Sequence, residues 1–360
     1  MRITFYITIP LLFIFFSAHP GTASRAPIRT VATSPYASAI VVDAHSGETL
    51  FSRNADLQVY PASTLKLMVL LVILEKIEQG TLQLDEMVQV TVDAYRMGGS
   101  QVYLDPKESF SVEDLLYALM IQSANDAAVA LATHIAGTTE EFVELMNKKA
   151  EELGMQNTRF YSVHGLPPAK GQKVDVTTAR DFATLCLYLS KKPEVYAYTG
   201  TKVRDFRDGK FVMRTHNHLL KKVDGCDGFK TGYFSKAGFS IAATAKKNGV
   251  RIIAIVMGSK ERKVRDAEAI KLLANGFAKV PRSNAPPAAV IQVDEKIPVE
   301  PVSAEISAPA KQNDPFHKES ASSGWDKFFF GLLTGFLLCA SLNFYIFKRR
   351  SKSKWHTRRM

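Results

Sequence analysis

Phe239-Ser-Ile-Ala-Ala-Thr-Ala-Lys-Lys-Asn-Gly-Val-Arg-Ile-Ile-Ala-Ile-Val-Met257 reads as two strands, 239–245 and 250–257, dense in Ile, Val and Ala around a Lys-Asn-Gly turn. Nearly two hundred residues upstream, 39–51 repeats the pattern as strand, turn at His45-Ser46-Gly47, and strand. Between the two hairpins, apolar residues recur at helical spacing over 65–77, 112–121, 125–135, 140–153 and 178–189, and 264–277 closes with one more helix. Strands at both ends of the unit have to share one sheet. The expected fold is therefore α/β (α+β), a central sheet with a helical subdomain.

The chain has 360 residues, 46% hydrophobic and 22% charged, enough for a full-sized core. Residues 25–280 read as one catalytic domain without repeats or low-complexity tracts. Ahead of it, 1–23 has an early Arg2, an apolar run over 7–16 and small residues at Thr22, Ala23 and Ser24, the layout of a secretory signal peptide. Residues 281–327, with Pro281, Pro286, Pro287, Pro298, Pro301, Pro309 and Pro315 among Ala, Ser and Glu, read as a linker. Residues 328–347 carry no charge and as a helix would span about 30 Å, the thickness of a hydrocarbon core. Seven basic and no acidic residues follow in 348–360, so the positive-inside rule places that tail in the cytoplasm and the catalytic domain on the periplasmic or extracellular side. The expectation is a single-pass protein of a bacterial cytoplasmic membrane. Setting aside that tail and Arg2 takes the formal charge from +11 to +3, and no Arg/Lys stripe interleaved with aromatics remains, which excludes nucleic acid as a partner. Cys339 falls in the apolar span; Cys186 and Cys226 allow one bridge at most, and Cys186 also suits a plain core position.

Three short motifs occur in order in the exported part: Ser63-Thr-Leu-Lys66, Ser123-Ala-Asn125 and Lys230-Thr-Gly232. Singly the first two are weak, since Ser-x-x-Lys recurs at Ser351 and Ser-x-Asn at Ser52 and Ser341; Lys-Thr-Gly occurs once. Each has an ordinary structural role available. Ser63 could cap a helix, Lys66 could be a solvated lysine, Ser123 and Asn125 could start a helix, and Lys230 to Gly232 could be a turn before a strand. Their order and context favour chemistry instead. Ser63 follows Pro61 and opens a helix, where free N–H groups favour a developing oxyanion. Lys66 lies one turn on, and a desolvated lysine beside a second cation, for which Lys230 is the candidate, can act as the base for a serine hydroxyl. Ser123 can relay a proton, Asn125 can hydrogen-bond a peptide group, and Gly232 lets a bound peptide approach a strand edge.

The motif set resembles that of penicillin-binding proteins and class A β-lactamases. The longer strings Tyr60-Pro-Ala-Ser-Thr-Leu-Lys66, Gln122-Ser-Ala-Asn-Asp-Ala-Ala128, His164-Gly-Leu-Pro167 and Asp227-Gly-Phe-Lys-Thr-Gly-Tyr233 closely resemble the low-molecular-mass penicillin-binding proteins, the D-alanyl-D-alanine carboxypeptidases of peptidase family S11. The resemblance covers about 37–280 and implies a β-lactamase/D,D-peptidase-like fold. It further implies Ser63 as acylated nucleophile, Lys66 as general base, Ser123 and Asn125 as second-motif partners, and Lys230 and Thr231 on the substrate's terminal carboxylate. The backbone N–H groups of Ser63 and Tyr233 would form the oxyanion hole, and Arg265 matches the family's arginine near the carboxylate. Peptidoglycan stem peptides would be the substrate and β-lactams covalent inhibitors, with no cofactor and no metal. This chain departs from the pattern at Phe234, where many members have a hydroxyl residue, and it carries a linker and apolar span where many have a β-rich second domain and an amphipathic helix. Among alternatives, a D,D-endopeptidase would use the same three motifs, and a penicillin-sensing or wall-binding protein would have the same fold. A β-lactamase is disfavoured by the lack of a Glu-x-x-Leu-Asn segment, and a zinc hydrolase by the lack of His-Glu-x-x-His.

Overall fold

The computed structural model describes residues 30–169 and 171–280, which fall in one compact unit. The signal peptide, linker, apolar span and basic tail expected at 1–23, 281–327, 328–347 and 348–360 lie outside the described residues. Among the described residues no helix is long and apolar enough to cross a membrane.

The first hairpin is β1 (Ser38–Asp43) with β2 (Thr49–Arg53), turned by Gly47 at φ +74° and by the Asp43 carboxylate, which accepts from the His45 N–H at 3.0 Å. A 3-10 turn, Ala62–Leu65, then enters α1 (Lys66–Glu78). A two-stranded ribbon, β3 (Met87–Gln89) with β4 (Ser109–Ser111), brackets the single turn α2 (Val92–Tyr95). The helical layer continues with α3 (Val112–Tyr117), α4 (Asn125–Ala136), α5 (Thr139–Glu152), α6 (Ala179–Leu189) and α7 (Val195–Thr199). Ser111, Thr138 and Thr178 start α3, α5 and α6 by accepting from the N–H three residues on, as N-caps do. A second ribbon, β5 (Val203–Phe206) with β6 (Phe211–Arg214), and the short α8 (Leu219–Lys222) precede β7 (Cys226–Phe234), β8 (Gly238–Lys247), β9 (Val250–Ser259) and α9 (Arg262–Lys279).

The main sheet has the order β2-β1-β9-β8-β7, antiparallel throughout. β1 against β9, with Ile40 opposite Ile255, is the long-range pairing that joins the two hairpins. Both faces are covered, which is why these strands read as continuous apolar runs and not as alternation. Ile40, Val42, Ile253 and Ile255 face the helical layer, while Val41, Ile252, Ala254 and Val256 lie under Ala269, Leu272 and Leu273 of α9. α1 is the central helix: every residue from Lys66 to Leu74 is buried, as an all-round apolar sequence requires.

Two readings of the sequence are refined. The helix expected over 112–121 keeps α geometry only to Tyr117; Ala118–Gln122 is a π-helical turn, and Ser123 after it takes a left-handed φ of 60°. Cys186 and Cys226 are not bridged: both are free, with Cys186 in the core, where burial pushes its thiol pKa up.

Candidate active site

The turn bearing Ser63 is held where three pieces of backbone meet. A side chain on Gly232 would place its Cβ 2.8 Å from the Pro61 oxygen and 3.0 Å from the Ser63 nitrogen, so only glycine lets β7 run this close. Gly165, at φ +75°, has even less room, since an added Cβ would sit 2.2 Å from the Ala62 oxygen. Ala62 itself has φ 48°, a sparsely populated conformation that persists only where the surroundings fix it. Gly232 therefore makes room for the Ser63 turn, a task beyond the substrate pairing expected from the sequence. β7 is thereby brought against the Ser63 N–H at Gly232.

Lys66 is fully buried at the first position of α1. Its Nζ lies 2.7 Å from Asn125 Oδ1, 2.7 Å from the His164 carbonyl and 3.3 Å from Ser63 Oγ. Burial, and then the charge of Lys230, hold its pKa well below the usual lysine value, against an upward pull from Asp126 and Asp175. A neutral amine has two hydrogens and one lone pair. The two short contacts take the hydrogens and leave the lone pair for the Ser63 hydroxyl.

Lys230 is buried on β7, donates to Ser123 Oγ at 2.8 Å and to the Thr231 carbonyl at 3.1 Å, and is lowered to about 7 by burial and by Arg265. Asn125 donates from Nδ2 to the Gly98 carbonyl at 2.7 Å and from its backbone to Ser100 at 2.8 Å, which fixes the amide with its oxygen toward Lys66. The loop supplying those carbonyls is clamped from both sides. The Asp126 carboxylate accepts from the N–H groups of Val102 and Leu104, each at 3.1 Å, and Arg207 donates to the carbonyls of Val102 (2.5 Å) and Tyr103 (2.7 Å) while pairing with Glu108. Desolvation raises the Asp126 pKa, and its backbone donors oppose that rise.

Ser63, Ser123, Thr231, Gly232, Tyr233 and Arg265 line one cleft of about 270 Å³, beneath which Lys66, Asn125 and Lys230 make the contacts above. All nine residues singled out in the sequence thus converge. Arg265 is buried, with Nε 2.9 Å from Asp266 Oδ1. The sequence did not single out Ser100, His216, His218, Phe239 and Arg262, which also line the cleft, nor Asp126 and Arg207, which hold its loop. Asp126 sits next to Asn125 in a quoted string, yet its role depends on a fold that no local pattern reveals. A larger cavity, about 600 Å³, includes His164 and Asp175 but none of Ser63, Ser123 and Lys230, so the chemistry belongs to the smaller cleft.

An antiparallel sheet packed on helices, with a serine beside a buried lysine of lowered pKa and a second lysine on an edge strand, defines a site able to acylate serine without histidine. The model of the D-alanyl-D-alanine carboxypeptidase family matches residues 25–261, and the chain belongs to that family, peptidase S11. A D-alanyl-D-alanine carboxypeptidase of Bacillus subtilis is 37% identical over 244 residues, 67% of this chain and 62% of that protein. One of Escherichia coli is 39% identical over 246 residues, 66% of this chain and 60% of that protein. The chain thus spans about three-fifths of the length of the curated relatives it matches. Penicillin-binding protein D2 of Listeria monocytogenes, solved with ampicillin bound, superposes with a TM-score of 0.61 at 33% identity, covering 68% of this chain and 97% of that one.

Proposed function

We propose that the protein is a serine-type D-Ala-D-Ala carboxypeptidase that removes the terminal D-alanine from peptidoglycan stem peptides through an acyl-enzyme on Ser63. The observation that carries this reading is the buried Lys66, with two acceptors at 2.7 Å and Ser63 Oγ at 3.3 Å. Neutral Lys66 takes the hydroxyl proton as Ser63 Oγ bonds to the carbonyl carbon of the penultimate D-alanine. The oxyanion faces the N–H groups of Ser63 and Tyr233. As the C–N bond breaks, that proton passes, with Ser123 as relay, to the leaving amine of D-alanine. Water then adds its hydroxyl to the acyl carbon and returns a proton to Ser63. Lys230, Thr231 and Arg265 hold the terminal carboxylate, and Asn125 the substrate's peptide group. A β-lactam would enter by the same first step, with its leaving nitrogen still tethered.

Release of free D-alanine from diacetyl-L-Lys-D-Ala-D-Ala is the expected result. The rate should fall as pH is lowered, because Lys66 regains its proton. Penicillin labelling without D-alanine release would sink the carboxypeptidase reading in favour of a sensing protein or an endopeptidase.

The apolar 328–347 and the basic residues after it support a single span with the catalytic domain outside the cytoplasmic membrane. Residues 281–327 would then act as a tether with a mean reach of about 40 Å. After fractionation of cells, penicillin-labelled full-length protein should pellet with membranes and a chain ending at Pro281 should stay soluble; equal partitioning of the two would remove the anchor from this account.

A further inference from the structure

The cleft continues past the group assigned to the terminal carboxylate. Arg265 lines the cleft but is buried, its guanidinium donating to Asp266 and to the Ser240 carbonyl. Arg262, three residues earlier and therefore on the same face of α9, also lines the cleft but is exposed. Among the described residues no carboxylate pairs with it, and the nearby Asp266 is committed to Arg265. His216 and His218 stand on the same cleft. Surrounding protein and neighbouring cations, Lys230 for His216 and Arg262 for His218, lower both pKa values and leave the rings neutral near pH 7. Asp266 Oδ2, 3.9 Å from His218 Nδ1, is the one acid facing that ring among the described residues. Tyr233 and Phe239, stacked with centroids 4.0 Å apart, form the apolar wall. The outer end of the cleft therefore carries one uncompensated permanent cation, two neutral hydrogen-bonding rings and an aromatic surface.

We propose that this end is a second anion subsite, centred on Arg262, that favours leaving residues with a side-chain carboxylate, such as a terminal D-glutamate in place of D-alanine. The proposal rests on the carboxypeptidase reading above, in which the leaving residue's own carboxylate is held by Lys230, Thr231 and Arg265. Arg262 and Arg265 are three residues apart on α9, a rise of about 4.5 Å, a distance that a glutamyl side chain is long enough to cover. Arg262 is solvent-exposed, so its contribution is modest and screened by salt.

The test compares diacetyl-L-Lys-D-Ala-D-Ala with diacetyl-L-Lys-D-Ala-D-Glu by kcat/KM. Arg262→Gln should lower the D-Glu to D-Ala ratio about 1.5- to fivefold, the range of an exposed ion pair. Arg262→Lys, which keeps the charge, should hold the ratio near wild type. Added salt should erode the wild-type ratio and leave that of the Gln variant unmoved. Equal losses on both peptides would show that Arg262 attracts any anion and would overturn the subsite, as would an unchanged ratio. Failure of the wild type to release either residue would defeat the carboxypeptidase reading; release of D-alanine with a ratio indifferent to Arg262 would defeat only the subsite.

Discussion

A Ser63→Ala variant is expected to take up no fluorescent penicillin while keeping the wild-type thermal midpoint. The hydroxyl contributes little to the fold. Ser63 is half-buried, its one side-chain hydrogen bond among the described residues is the 3.3 Å contact with Lys66, and the turn is fixed by backbone packing against Gly165 and Gly232. Lys66 would keep both of its 2.7 Å contacts. What disappears is the oxygen that forms the acyl bond, and the loss of a catalytic nucleophile costs on the order of 10⁶ in rate where it has been measured in a serine hydrolase. Ser100 and Ser123 line the same cleft and serve as controls. Ser123 Oγ accepts from Lys230 at 2.8 Å and is a proton relay, not the oxygen that forms the acyl bond, so Ser123→Ala should slow labelling and not abolish it. Labelling of Ser63→Ala at the wild-type rate would show that another group is acylated.

How much of this was legible in the sequence depends on whether the cause was local. The hairpins around Gly47 and Gly249 were readable because turn residues and apolar runs lie side by side, and the helices because a period of 3.6 survives over three turns or more. β7 was not readable as a nine-residue strand. Cys226–Phe234 contains two glycines, a lysine and a threonine, chosen for the cleft and for the approach to Ser63 and not for strand propensity. The ribbons β3/β4 and β5/β6 are three or four residues long and largely exposed, so no period builds up. Seven of the nine site residues were legible through the order and spacing of the motifs, and Tyr233 and Arg265 through the family resemblance, but their energetics were not. That Lys66 and Lys230 are buried amines of lowered pKa follows from α1 being enclosed on every side and from β7 closing over it, which are tertiary facts. Arg207 lies 99 or more residues in sequence from everything it holds, at Val102, Tyr103 and Glu108, so only the fold brings the clamp together.

Replacing Lys66 with arginine separates charge from basicity. Lys66→Arg places a permanent cation at the first turn of α1, with enough donors to reach Asn125 Oδ1 and the His164 carbonyl. A guanidinium does not give up its proton in a protein, so it cannot remove one from Ser63. If the lysine acts as general base, acylation by penicillin should fall by about 10²–10⁴, the usual worth of such a group. The pH profile gives the sharper reading. In the wild type the pKa of Lys66 is held down first by burial and then by Lys230, so the rate should climb with pH as the amine is freed. The arginine variant should lose that climb along with the rate. Stability carries the same signature with the sign worked out: below its usual pKa the unfolded lysine is protonated, while the buried one resists protonation. The folded state therefore binds fewer protons, and wild-type stability should rise with pH across the interval between the two values. Arginine stays charged in both states, so its contribution to that slope should vanish. A variant that kept the pH-dependent acylation of the wild type would remove Lys66 from the role of base and return it to that of a buried hydrogen-bond donor.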